Sequence, residues 1–226
     1  MGDLIVRELA AGEMPAAGAL LGRSLRDNPS ARAVGGADPA RCEAVLGRLL
    51  EAMLAVASRR GTALAAYRES QLVGVCAFAP PGRGQPTFLE NLSLFGIVQR
   101  NVPLGAQLAA KRWLEGWGRH ETGAKPHWRL GPVGVEPGQQ RQGIGRALLV
   151  EFCARVDAQD AVASLEADTE ANRAFFQRFA FRMDGEARGD AGHGILMRRA
   201  AASDTVRWAR PPAAKPFVLG KPIGKG

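Results

Sequence analysis

The feature that most constrains the fold is the run Val133-Gly134-Val135-Glu136-Pro137-Gly138-Gln139-Gln140-Arg141-Gln142-Gly143-Ile144-Gly145-Arg146-Ala147-Leu148-Leu149. It reads as a strand, a glycine-rich turn and a helix. The first N–H groups of a helix have no intrahelical acceptor, and the helix dipole adds partial positive charge beside them. Glycine at 143 and 145 lets an anion approach the backbone, and Arg141 and Arg146 add full charges. The physical reading is a phosphate or pyrophosphate site; the alternative is a glycine-tolerant turn that binds nothing. Two other phosphate loops are excluded by spacing. No lysine follows these glycines as GxxxxGK[ST] requires, and Leu148 stands where GxGxxG needs its third glycine.

Strand and helix patterns alternate along the rest of the chain. Leu4–Glu8 reads as a strand, and residues 13–26 as a helix with Met14, Ala17, Leu20, Leu21 and Leu25 on one side, ended by Asp27-Asn28-Pro29. Asp38-Pro39 predicts an N-cap followed by a helix to about Arg60, with Gly61 as its stop. Residues 62–67 and 72–78 read as a strand pair. Residues 87–121 read as two helical pieces split near Asn101-Val102-Pro103, with Trp113 and Trp117 in the core and a ligand wall as the secondary reading. Trp128–Val135 reads as a buried strand interrupted by Gly131-Pro132, and 143–156 as a helix with Cys153 in the core. A buried strand over 161–166, a short helix over 172–179 and strands near 181–187 and 195–199 complete the pattern. The expected division is a domain over 1–200 and a basic Pro/Ala/Lys tail over 201–226.

Gln140-x-x-Gly143-x-Gly145, directly after Val133-x-Val135-x-Pro137, resembles the acyl-CoA pyrophosphate loop of the GNAT N-acetyltransferase superfamily. Downstream, Leu165-Glu166-Ala167-Asp168-Thr169-Glu170-Ala171-Asn172-Arg173-Ala174-Phe175-Phe176 and the following Gln177-Arg178-Phe179-Ala180-Phe181 resemble that family's second signature. The two blocks come in the family's order. A weaker likeness, carried by His127-Trp128-Arg129-Leu130 and Asp27-Asn28-Pro29, is to the puromycin N-acetyltransferase group. The resemblance implies the α/β GNAT fold over residues 3–199, a mixed central sheet of about six to seven strands flanked by helices, with its central parallel strands splayed apart.

The resemblance also implies a reaction. Acetyl-CoA is the co-substrate, and its pantetheine lies in the gap between the splayed strands. The N–H near Val133 faces the thioester oxygen and stabilises it as an amine attacks, and the backbone of Val135 pairs with pantetheine. The N–H groups of Arg141, Gly143, Gly145 and Arg146 hold the pyrophosphate, with Gln140 at the start of the loop. Gln142, Ile144, Phe175 and Phe176 complete the implied cofactor contacts. Asn172 matches the family's CoA-contacting asparagine and also reads as a helix N-cap. Phe176 stands where the family commonly has a tyrosine that protonates the leaving thiolate, and phenylalanine has no proton to give. Ala180 replaces the usual glycine before Phe181. The general base is open between Glu166 and His127, whose alternatives are a structural carboxylate and a strand-edge polar residue. His120 and Glu121 read as solvated, and Asp27 as acceptor-side loop or turn chemistry. Spacing offers no activating His–Cys pair, so direct attack in a ternary complex is expected.

Charge and composition narrow the partners. The net charge is +8, but half of the excess lies in residues 201–226, and no stacking aromatics interleave with the basic residues in the way single-strand binding needs; nucleic acid is not expected. No apolar run is long enough for a membrane span, and the start lacks the basic and apolar regions of a secretory leader. Cys42, Cys76 and Cys153 fit no zinc or redox spacing, so no metal is expected and the cytoplasm is the expected location. The expected acceptor is a primary amine on a small molecule. A protein lysine or N-terminus, and a CoA-binding module without catalysis, are the rival readings. Homodimers are common in the family, and the basic tail has an acidic partner as a third reading.

Overall fold

A computed structural model of the chain describes residues 3–116, 126–189 and 192–204. Trp117, His120, Glu121 and the tail from residue 205 onward lie outside the described residues. Strands β1 (Leu4–Glu8), β2 (Thr62–Arg68), β3 (Gln71–Ala79), β4 (Trp128–Val135), β5 (Ala163–Ala167), β6 (Arg182–Gly189) and β7 (Gly192–Arg199) form one sheet in the order β1-β2-β3-β4-β5-β7-β6. Neighbours are antiparallel except the central pair β4–β5, which is parallel. Helices α1 (Met14–Leu25), α2 (Pro29–Gly35), α3 (Pro39–Arg60), α4 (Phe88–Asn101) and α5 (Gln107–Gly116) share a core with one face of the sheet. Helices α6 (Ile144–Asp157) and α7 (Glu170–Gln177) pack on the other. This is the mixed α/β sandwich that the sequence implies.

Local chemistry accounts for most element ends. The Asp38 carboxylate accepts the Arg41 N–H at 2.7 Å, Pro39 fills the first turn of α3, and Gly61 follows its end. Thr87 and Glu90 form a reciprocal capping box at the start of α4, and Val102 leaves that helix in an extended conformation before Pro103. The chain departs from the sequence reading at Asp27-Asn28-Pro29. Asn28 is extended, as a residue before proline prefers, and Pro29 opens the further helix α2 instead of ending a helix in a plain turn.

Helix α1 sits unusually deep. A Cβ on Gly18 would stand 2.6 Å from the Gly47 carbonyl oxygen of α3, and one on Gly22 would stand 2.6 Å from the Glu43 carbonyl oxygen. The same helix meets β4 across Gly134, where a Cβ would come 2.6 Å from Leu21. Backbone-to-backbone seating of this kind tolerates no added volume. Gly18→Val is expected to destabilise the fold by roughly 1–3 kcal/mol. A lower urea midpoint with an unchanged m-value is the result that checks it.

Candidate active site

The parallel pairing of β4 and β5 covers only Trp128 with Ala163 and Arg129 with Ser164. Beyond those residues β4 runs on to Val135 and β5 to Ala167 without pairing, so a gap opens between them. A bulge in β4 decides which groups face it. The register against β3 slips by one residue between the Cys76–Val133 and Phe78–Leu130 pairs, at Gly131-Pro132, where proline has no N–H to lose. The Glu136 N–H donates to the Val73 carbonyl of β3 at 3.0 Å. Strand alternation therefore turns the N–H groups of Val133 and Val135 away from β3, toward the gap. The Val135 N–H donates to Ser24 Oγ of α1 at 3.2 Å, and its carbonyl accepts from Gln140 Nε2 at 3.3 Å. No described side chain takes the Val133 N–H.

After β4 the loop is tied down from both sides. Arg23 of α1 holds Glu136 in a two-point ion pair, Nε to Oε1 at 3.0 Å and Nη2 to Oε2 at 2.7 Å. Arg68 at the end of β2 donates to Gln139 Oε1 at 3.2 Å and to Gln142 Oε1. Arg141 and Gly143 both adopt positive φ, +62° and +85°, and Gly143 enters α6 with no side-chain cap. The first helical bond is Ala147 N–H to the Gly143 carbonyl at 3.0 Å. The N–H groups from Arg141 to Arg146 have no acceptor among the described residues. Arg141 and Arg146 are exposed, and a Cβ at Gly143 would meet nothing within 4 Å. Orphan donors, two cations and open space fit a pyrophosphate group.

The side chains of the two signatures then sort themselves. Ile144 is buried in the core, so the site can use only its N–H. Phe175 packs on the first turn of α6, its ring edge 3.3 Å from where a Gly145 Cβ would stand. Phe176 is buried in a ring cluster with Phe175 and Phe181. Asn172 is not the cap of α7. Thr169 Oγ1 accepts the Asn172 N–H at 3.1 Å and does that work. The half-buried Asn172 side chain hydrogen-bonds to no described residue and lies one turn before Phe175. His127 is buried ahead of β4, at the closed end of the gap and not at an exposed strand rim. Roughly 20 Å of extended strand separate it from Val133. Burial pushes the Cys76 thiol up to about 12, and all three cysteines are buried thiols.

On β5, Ala163, Leu165 and Ala167 are buried beneath α6 and α7, so alternation turns Glu166 to the opposite face, and Asp168, just past the strand, meets α2 on that side. Glu166 lies over Gly194 of β7, where a Cβ would fall 1.8 Å from its carboxylate; only glycine admits it. Asp168 is the carboxylate that the sequence reading missed. Its oxygens accept from Asn28 Nδ2 at 2.9 Å and Ser30 Oγ at 3.4 Å, at the start of α2. Burial, then the charge of Glu166, raise its pKa to about 6, against the lowering effect of those two hydrogen bonds. The signal was present in the two-residue spacing from Glu166, which puts both on one side of β5. The partner segment could not be read from that spacing.

The profile of the acetyltransferase (GNAT) family matches residues 38–181, which contain the gap, the loop and α7. Solved structures share the fold. One of histone acetyltransferase HPA2 and related acetyltransferase from Corynebacterium glutamicum is 19% identical, covers 89% of this chain and 98% of its own, and superposes with a TM-score of 0.64. PaiA N-acetyltransferase of Thermoplasma acidophilum, solved with coenzyme A, is 12% identical over 88% of this chain and 99% of its own, with a TM-score of 0.54. The ribosomal-protein-S18-alanine N-acetyltransferase of Escherichia coli is 15% identical over 88% and 94%, with a TM-score of 0.50.

The raised pKa of Asp168 has a consequence for stability. Between pH 4 and 6 the folded chain keeps a proton that the unfolded chain, at an ordinary 3.8, has released. The group costs nothing below pH 4 and its full penalty, about 3 kcal/mol at most, above pH 6. Asp168→Asn is therefore expected to flatten the fall in stability between pH 4 and 7 and to be at least as stable as the parent at pH 7. Denaturant melts across that range check it.

Proposed function

The chain belongs to the GNAT acetyltransferase family, and on that premise we propose that it moves the acetyl group of acetyl-CoA to a primary amine of a small molecule, by direct attack in a ternary complex. The observation that carries this reading is the splayed β4–β5 pair leading into an uncapped loop of orphan N–H groups. Acetyl-CoA supplies the acyl group as a thioester whose carbonyl carbon accepts an uncharged amine.

Each wall of the gap has its own work. The N–H groups between Arg141 and Arg146 hold the pyrophosphate, with the two arginines adding charge. The Val133 N–H faces the carbonyl oxygen as negative charge develops on it; one such donor is worth about 3 kcal/mol in known oxyanion sites. Val135 pairs with pantetheine by exchanging the Ser24 and Gln140 contacts that occupy its N–H and carbonyl. Asn172 and Phe175 border the cofactor from α7. On the acceptor side Glu166 lines the wall of β5, and Asn28 and Ser30 reach across to Asp168, so α2 roofs this end. A roofed acceptor space supports a small amine over an extended polypeptide.

Phe176 leaves no phenol to protonate the departing sulfur. A thiolate is a good leaving group, so turnover survives this loss. The same substitution favours the second reading, a CoA-binding module without useful catalysis.

Thermal unfolding with acetyl-CoA tests the site. At about 100 times its dissociation constant the ligand should add about 2.7 kcal/mol of stability, and Gly143→Glu, which sets a carboxylate among the orphan N–H groups, should abolish the gain. Thiol release across a panel of small amines then separates an enzyme from a silent binder. No shift at millimolar acetyl-CoA would sink the reading.

A further inference from the structure

Resting on that acetyl-transfer reading, we propose that Asp168 is the group that takes the proton from the acceptor, which therefore enters as an ammonium ion between β5 and the start of α2. The argument begins with position. Asp168 follows the half of β5 that does not pair with β4, on the side of Glu166 and α2, while Val133 presents its N–H from the opposite wall of the gap. One wall thus offers an oxyanion donor and the other offers negative charge.

The partners of Asp168 are those of a working carboxylate. Arginine and lysine total 30 in the chain against 22 acids, yet no described cation pairs with Asp168. Among the described residues its oxygens accept from the neutral groups of Asn28 and Ser30. These hold the ionised form without neutralising it, so a cation can still bind. Among the described residues, Glu166 on β5 is the charge that acts on it, α2 presents Asn28 and Ser30, β7 presents Gly194 beside Glu166, and β4 carries Arg129 on the same sheet face.

Burial and Glu166 also make Asp168 a stronger base than an ordinary carboxylate, and at pH 7 it is still mostly ionised. The residue is kept in a state that costs stability, which is the usual mark of a functional group.

The step balances as follows. The Asp168 carboxylate removes a proton from R–NH3+, and the freed lone pair forms the C–N bond at the thioester carbonyl. The C–S bond breaks and its electron pair leaves on sulfur. The second ammonium proton goes to the thiolate, and Asp168 returns its proton to solvent. The sum is R–NH3+ and acetyl thioester giving the amide, the thiol and one proton. Glu166 tunes Asp168 by its charge.

Two variants separate these roles. In the ligand-free protein, carbon-13 NMR of labelled aspartate side chains should show one carboxyl titrating near pH 6, absent in Asp168→Asn and moved to lower pH in Glu166→Gln. For transfer to the best amine of the panel, kcat/KM should fall with acidity through the same pH, and Glu166→Gln should shift that limb downward. Asp168→Asn should remove the limb and lower kcat/KM at pH 7 by about 100-fold or more, with the acetyl-CoA thermal shift unchanged. Asp168→Glu should restore part of the rate. An Asp168→Asn enzyme with parental rate and an intact acid limb overturns the proposal, as does loss of the limb in Glu166→Gln alone. Failure of the parent to gain stability with acetyl-CoA removes the acetyl-transfer reading itself, and the proposal with it.

Discussion

Two parallel strands that stop pairing after two residues leave backbone groups with nowhere to go, and much of this structure answers that problem. A buried N–H without an acceptor costs about 1–3 kcal/mol. The bulge at Gly131-Pro132 aims Val133 and Val135 into the opening, so both need partners that β5 does not supply. Val135 finds them in Ser24 and Gln140, one from α1 and one from the loop that follows. The Val133 N–H is taken by no described side chain. The gap is therefore an unfinished piece of sheet.

The position of α1 is what makes this gap usable. Gly18, Gly22 and Gly134 let the helix lie against α3 and β4 at distances that any side chain would forbid. That seat brings Ser24 to Val135 and Arg23 to Glu136. The mouth of the gap and the start of the phosphate loop are thus held by one helix. Arg68 fixes the same loop from the far side through Gln139 and Gln142. The orphan N–H groups of the loop are thus held in place by side chains that lie outside it, and a loop fixed in this way keeps little ordering to lose.

The acceptor wall follows a different logic. Glu166 needs Gly194 beside it, and Asp168 needs the α2 segment above it. Both carboxylates face away from the apolar core that buries their strand neighbours. Burial and the charge of Glu166 together raise the energy of the ionised Asp168. On the other side of the sheet, Phe176 fills with buried packing a position that commonly carries a phenol in the family.

By itself the sequence determined the family, the loop and nearly every element, because these rest on local rules. Glycine at a positive φ, proline after a capping aspartate, alternation in strands and the order of the two signatures can all be read within a few residues. It also marked the irregularity of β4, since Gly131-Pro132 cannot continue an inner ladder. Tertiary structure alone decided what joins residues far apart in the chain. That Asn28 and Ser30 meet Asp168, that Gly194 makes room for Glu166, that Ser24 takes the Val135 N–H and that Thr169 rather than Asn172 caps α7 are all outcomes of packing. Helix α2 was missed because Asp27-Asn28-Pro29 reads equally well as an end or a beginning. His127 was misplaced because a polar residue at a strand start looks the same in sequence whether the strand end is open or closed. Local preference sets which segments form; which of their groups share a pocket depends on how β4 and β5 part, and no short stretch of sequence encodes that separation.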